Sequence, residues 1–232
     1  MSQNESRLLR IDGQSIEQLP CAKFLGVLVD SKLILSAHIE YLCGRLSSVC
    51  FLFRQLRGTV ETMVLLRVYY GIFCSIMSYG ILYWGGASDA YRIFILQKKV
   101  IRIMFGLKSM ESCKEAFRKL RILTFPSLYL LTLLNHTKKC QADFVPRNEI
   151  HSYPTRGSNL IHQPFSRLTV GQKSFEYMAI KCYNKLPDTL KQIKSQTGFS
   201  TSLKKILVDR CYYSVEEFLK DRLEPTSLSE GL

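Results

Sequence analysis

The sequence predicts a mainly α-helical protein that opens with a small antiparallel β-hairpin or sheet. Three observations carry that expectation. From residue 36 onward, apolar residues recur at steps of three and four, the period of a helix buried along one face. Before that, Asp12-Gly13 stands between two short apolar runs, a two-residue hairpin signal. The chain has 232 residues, 47% hydrophobic and 22% charged, enough to close a core of one domain or two small ones.

The first hairpin is expected from Leu8 to Ile16. Lys23-Phe-Leu-Gly-Val-Leu-Val29, apolar and β-branched, reads as a third strand ended by Asp30. Three strands do not stand alone, so helices or another domain must cover them. Residues 36–57 read as a helix with Ile39, Leu42, Leu46, Val49, Phe53 and Leu56 on one face. Ser36 is its expected N-cap and Gly58 its stop. Thr59 is placed to cap a second helix carrying Met63, Leu66, Tyr70 and Phe73. Asp89 is placed to cap a third, running to Phe105 and stopped by Gly106. Short loops join the three, so residues 35–110 read as an antiparallel bundle after a β segment over 1–34.

Residues 111–222 read as further helices. Ser112-Cys-Lys-Glu115 fits a capping box, and Pro126 fits the first turn of a helix carrying Leu128, Leu131 and Leu134. Residues 141–168, with three prolines and Gly157, read as a long connecting loop. Helices resume near 172–184, 199–210 and 214–222, and residues 223–232 form an acidic tail. Val68 to Ser88 are 21 residues without a charge, long enough to cross a bilayer. Gly, Ser, Tyr and Trp fill 12 of them, so the reading is a buried helix and a turn rather than a membrane span.

Lys and Arg number 32 against 19 Asp and Glu, a net charge of +13. Residues 216–232 hold 2 basic and 5 acidic residues, so the body is more basic still. Such a surplus points to a polyanion, nucleic acid or an anionic membrane surface. It clusters on the third helix. At 100° per residue Arg92, Lys98, Lys99 and Arg102 share an arc of about 120°, opposite Ile93, Leu96, Val100, Ile103 and Met104. Ile95 falls inside the basic arc. Residues 92–121 hold nine cations and only two acids, Glu111 and Glu115. One reading is a surface that tracks phosphates. The other is the solvated face of a basic protein. Lys191, Lys194, Lys204, Lys205 and Arg210 form a second, more dispersed group.

Several chemistries find no residues. There is no glycine-rich phosphate loop and no nucleophile elbow. The only adjacent acids are Glu216 and Glu217. His136 and Cys140 stand four apart, but two further zinc ligands at a matching spacing are absent, so no metal site is expected. His38 sits beside an apolar stripe and reads as a packing histidine. The eight cysteines include no C-x-x-C pair, and the N-terminus has no apolar signal core. Reduced thiols in an intracellular protein, nuclear or cytoplasmic, are therefore expected.

Five motifs in order resemble the reverse transcriptases of non-LTR, jockey-like retrotransposons. Lys23-Phe-Leu-Gly-Val-Leu-Val-Asp30, followed by Ser36-Ala-His-Ile39, resembles the family's K-F-L-G-V-x-x-D…H-I segment. Tyr69, Ser75 and Tyr79-Gly-Ile-Leu-Tyr-Trp-Gly85 resemble its Y…S…Y-G-x-x-x-W-G segment. Leu96-Gln-Lys-Lys-Val-Ile-Arg102 is similar to its L-Q-(K/R)-(K/R)-x-(I/L)-R stretch. Tyr153-Pro-Thr-Arg156 and Tyr183-Asn-Lys-Leu-Pro187 resemble its Y-x-T-R and N-x-L-P motifs. The resemblance extends over about residues 8 to 220.

The resemblance implies the C-terminal part of an RNA-directed DNA polymerase. Residues 1–34 would be the end of the palm, with Phe24, Leu25 and Gly26 like its primer grip. Residues 35–110 would be the thumb, and 111–222 a connector. Tyr79, Gly80, Trp84, Gly85, Asn184, Leu186 and Pro187 would be structural motif residues. The implied partners are an RNA or RNA–DNA duplex, read without sequence preference, and the palm and fingers. The palm's Asp residues and their Mg²⁺ would lie upstream. The sequence has no Asp-Asp pair, so the expectation is a degenerate or truncated copy with no catalytic residue, no cofactor and no polymerase activity of its own. Two other readings stay open. One is a membrane-associated or scaffold protein using residues 68–88. The other is an inert pseudogene product whose sheet is left exposed.

Overall fold

The computed structural model describes residues 9–16, 19–150, 160–167, 171 and 174–223. It is mainly helical after a small β region. Strands β1 (Leu9–Ile11) and β2 (Gln14–Ile16) form the expected hairpin, pairing Leu9 with Ile16. Asp12 and Gly13 both have positive φ, the turn that matches strand twist.

The third strand is a correction. Lys23–Val29 does not run straight; it is a second hairpin of β3 (Cys21–Phe24) and β4 (Val27–Asp30). Leu25 (φ 45°) and Gly26 (φ 83°) make its turn. Among the described residues the result is two separate two-stranded sheets and no three-stranded one. Asp30 does more than end the strand. Its carboxylate accepts from the N–H groups of Lys32, Ile34 and Leu35 at 2.7–3.1 Å, folding the chain into the first helix. Those bonds lower its pKa below the usual carboxylate value.

Helix α1 (Ser36–Leu56) buries Ile39, Leu42, Leu46, Val49 and Phe53 as their spacing predicts. Its N-cap is Leu35 in the left-handed region, not Ser36, whose hydroxyl donates to Asp89 at 2.9 Å. Gly58 follows the helix with φ +86°. The second helix starts at α2 (Thr62–Val68), three residues beyond the expected Thr59 cap. It widens into a π-helical segment (Tyr69–Cys74) and closes with α3 (Ser75–Ser78). Gly80 (φ +63°) turns the chain into α4 (Ile81–Trp84). Among the described residues, no helix is long and apolar enough to cross a membrane.

Helix α5 (Tyr91–Phe105) lies along α1 and ends at left-handed Gly106. A single 3₁₀ turn, Ser88–Ala90, leads into it, so Asp89 is not its cap. Helix α6 (Lys114–Lys119) lacks the expected capping box: Cys113 is the N-cap and Glu111, not Glu115, accepts a backbone N–H, from Lys108. Helix α7 (Phe125–Lys139) has Pro126 in its first turn and Thr124 as a true N-cap. Beyond it lie a 3₁₀ turn, α8 (Arg147–Ile150) and an antiparallel bridge from Pro146 to Ile161. Residues 151–159, with Tyr153-Pro-Thr-Arg156, lie outside the described residues, as does the tail beyond Leu223. Helices α9 (Phe175–Lys185), α10 (Asp188–Lys191), α11 (Gln196–Arg210) and α12 (Val215–Lys220) follow among the described residues.

Helix α7 is the hub. It touches α4, α5, α9, α11 and α12, and one continuous apolar core runs from Ile39 to Phe218. All eight cysteines are free thiols. Burial pushes Cys182 up to about 12 and Cys211 up to about 11, while Cys21 is exposed. Because the thiolate is the nucleophile, one fast-reacting thiol is expected when the native chain meets an aromatic disulfide reagent near pH 8. The Cys21→Ser substitution should remove that fast phase. Persistence of the phase would place a second thiol at the surface.

Candidate nucleic-acid interface

Helix α5 forms because apolar residues follow its period and Gly106 can take the left-handed stop. Its buried face is Ile93, Phe94, Gln97, Val100, Ile101 and Met104. Measured from Arg92, these span about 80° to 200° of the helix. The core is thus centred near Gln97, further round than the expected Leu96–Ile103 side, and Leu96 and Ile103 are only half-buried. The cations occupy the remaining half, with exposed Ile95 among them.

The four predicted cations do not act as one row. Arg92 is paired with Glu40 of α1 at 2.5 Å, an exposed ion pair. Lys99 makes no hydrogen bond or ion pair among the described residues. It lies with Arg54 in electrostatic reach of Cys50, where the two cations partly offset the rise that burial gives that thiol. Lys98 and Arg102 flank buried Cys113 in the same way. The Lys98 ammonium sits 4.7 Å from the Phe94 ring centre and 5.6 Å from that of Tyr213. Arg102 Nε donates to the Glu111 carbonyl at 3.1 Å.

The structure adds cations from outside α5. Lys114 stands over Tyr213 at 4.9 Å, so two ammonium groups share one ring. Lys114 and Arg118 both lie beside Cys211, and Arg118 Nε donates to the Asp209 carbonyl at 2.9 Å. A basic patch of Lys98, Arg102, Lys114 and Arg118 thus forms where α5, α6 and the end of α11 meet, with Lys99 on the adjoining side. The second sequence group stays dispersed. Lys191 is bound to the Asn184 carbonyl and Asp188, Arg210 pairs with Asp221, and Lys204 lies beside Cys74.

The motif residues brace this surface. Gln97 is fully buried. Its amide donates to the Tyr69 hydroxyl at 2.8 Å and the Leu123 carbonyl at 2.9 Å, and its carbonyl accepts from Phe125 N–H at 2.7 Å. One side chain so ties α5 to the π-helical segment and to the start of α7. Sequence reading missed Gln97 because a polar residue in an apolar stripe resembles a surface position. The signal was its place at the centre of the buried arc.

Trp84 is fully buried, stacked on Phe125 at 5.5 Å, and its indole N–H donates to the Tyr79 carbonyl at 2.9 Å. The Tyr79 hydroxyl donates to the Leu25 carbonyl at 2.5 Å, joining the K-F-L-G-V and Y-G-x-x-x-W-G motifs across 54 positions. Gly85 allows α4 to approach α7: a Cβ there would stand 2.5 Å from both the Ile81 carbonyl oxygen and the Tyr129 ring. Asn184 accepts from Ile161 N–H at 3.0 Å and donates to its carbonyl at 2.8 Å. Leu186 is buried, and Pro187 is the N-cap residue of α10. Phe24, Leu25 and Gly26 sit at the end and turn of the second hairpin, not mid-strand, with Phe24 68% and Leu25 75% exposed.

Among the described residues, no group of three His, Cys, Asp or Glu side chains is placed to hold a metal. Comparison with family models, with curated proteins and with solved structures finds no match.

Proposed function

We propose that this chain is the thumb and connector portion of a non-LTR retrotransposon reverse transcriptase, and that it binds the phosphate backbone of an RNA or RNA–DNA duplex. The observation that carries this reading is the solvent half of α5. Lys98, Lys99 and Arg102 occupy it and Lys114 extends it, while the acids of residues 92–121 are only Glu111 and Glu115. A mixed-charge surface would hold as many acids as bases. The four ordered motifs that fall on described residues support the same reading.

Backbone contacts position a duplex without reading its sequence. Catalysis would need converging carboxylates for Mg²⁺, so this chain is expected to bind and not to polymerise. The palm is the proposed protein partner. Phe24, Leu25, Leu33 and Ile34 expose an apolar edge at the second hairpin and the turn after it, a surface suited to another protein.

The test is equilibrium binding of a mixed-sequence RNA–DNA hybrid and a scrambled hybrid across salt concentration. Equal affinities are expected, falling steeply as salt rises, by about 0.9 in log–log slope for each neutralised phosphate. No binding at low salt would overturn the reading.

A further inference from the structure

The second hairpin, the first half of α1 and the end of α3 line an open cavity of about 360 Å³. Each element contributes side chains at its own period. His38, Tyr41 and Arg45 stand three and four apart on one face of α1. Tyr79 comes from the end of α3, and Lys23 and Gly26 come from the hairpin. Among the described residues, two cations line the cavity and no carboxylate does.

His38 is the unexplained group. It is 1% exposed, and its Nδ1 accepts from Leu28 N–H at 3.4 Å, which leaves the proton on Nε2. Nε2 has no partner among the described residues. A buried donor without an acceptor is an exception that calls for a reason. The Tyr41 ring, exposed, stacks over the imidazole at 6.4 Å, and the Arg45 guanidinium lies 5.8 Å from the Tyr41 ring centre. Tyr41 and His38 thus line the same side of the cavity. The opposite wall is fixed: Tyr79 holds the Leu25 carbonyl, and a Cβ on Gly26 would stand 3.2 Å from the Tyr79 ring.

We propose that this cavity is a binding site for a phosphate group, held by the Lys23 ammonium, the Arg45 guanidinium and the Nε2–H of His38. A phosphate offers four oxygens to these three donors, whereas a carboxylate offers only two. The volume admits a phosphate with part of a nucleotide, so a duplex could present only a backbone phosphate to it. The site stands on its own residues. Only the source of the phosphate, a nucleic-acid strand or free phosphate, rests on the duplex-binding reading.

Trp84, the only tryptophan, lies edge-on to His38 at 5.9 Å and reports on it. Titrating the full chain with inorganic phosphate, and separately with a short RNA–DNA hybrid, is expected to give a saturable change in Trp84 emission with at least one of them. Arg45→Gln and Lys23→Gln, both on solvent-facing side chains, should each weaken that response at least tenfold. Displacement of phosphate by the hybrid assigns the site to a strand; a phosphate response the hybrid leaves untouched assigns it to free phosphate, and the site stands even if the duplex reading fails. No saturable change with either probe, or equal affinity in both variants, would overturn the proposal.

Discussion

Replacing Gln97 with Leu is expected to cost at least about 3 kcal/mol of folding stability. The volume of the side chain is nearly kept, so the core loses little packing. What is lost is the partner of three buried groups: the Tyr69 hydroxyl, the Leu123 carbonyl and the Phe125 N–H. Each unpaired buried group costs about 1–3 kcal/mol. Tyr69 and Phe125 are themselves buried, so water cannot replace the amide without opening the core. Urea unfolding measures the loss, and Gln97→Glu is the informative control. A carboxylate still accepts from Phe125 N–H but cannot donate to Leu123, so it too should be destabilised. A Leu variant within 1 kcal/mol of the parent, on the same scale of about 1–3 kcal/mol per group, would show that the Gln97 amide is not a stabilising contact.

Trp84→Ala is expected to cost about 3–5 kcal/mol, the range for removing a large aromatic from a core. Trp84 stacks on Phe125 and so joins the front of the fold to α7. Its indole also holds the Tyr79 carbonyl, and Tyr79 holds the second hairpin. The hairpin should therefore loosen before the rest unfolds. Hydrogen exchange on the variant is expected to show faster exchange at Val27–Asp30 than in the parent, with α11 little changed at the same denaturant concentration. Trp84→Phe keeps the stack but not the hydrogen bond, and should recover most of the stability. Uniform acceleration across the chain would separate the hairpin from this contact.

The helical stripes were legible because burial repeats with the helix. Ile39, Leu42, Leu46, Val49 and Phe53 are the buried residues that their spacing marks. Ends were legible where glycine is required: Gly58 and Gly106 both have positive φ. Starts were less so, because caps are set by tertiary partners. Ser36 turned to Asp89, and α6 starts at Cys113 with no side-chain cap. A capping arrangement formed instead at Ser214–Glu217, where the Ser214 hydroxyl accepts from Glu217 N–H and Glu217 accepts from Tyr213 N–H. The Leu25-Gly26 turn was hidden because leucine carries no turn signal and its neighbours are strand formers.

The site was half legible for a similar reason. Helix periodicity put four cations on one side of α5 but says nothing of their neighbours. Glu40, 52 positions from Arg92, neutralises one of them. Lys114 and Tyr213 join the others from elements that only the fold brings near. Gln97 and the Asn184–Ile161 clamp needed the contacts themselves.

The central claim is that the solvent half of α5 holds a duplex backbone. The most direct measurement is the affinity for an RNA–DNA hybrid over a salt series, for the parent, for K98Q/K99Q/R102Q and for R92Q. Three lost phosphate contacts should reduce the log–log salt slope by about 2–3 and weaken low-salt binding by more than tenfold, whereas R92Q, whose parent side chain is tied to Glu40, should change the slope by less than about 1. An unchanged slope and affinity in the triple variant would contradict the claim.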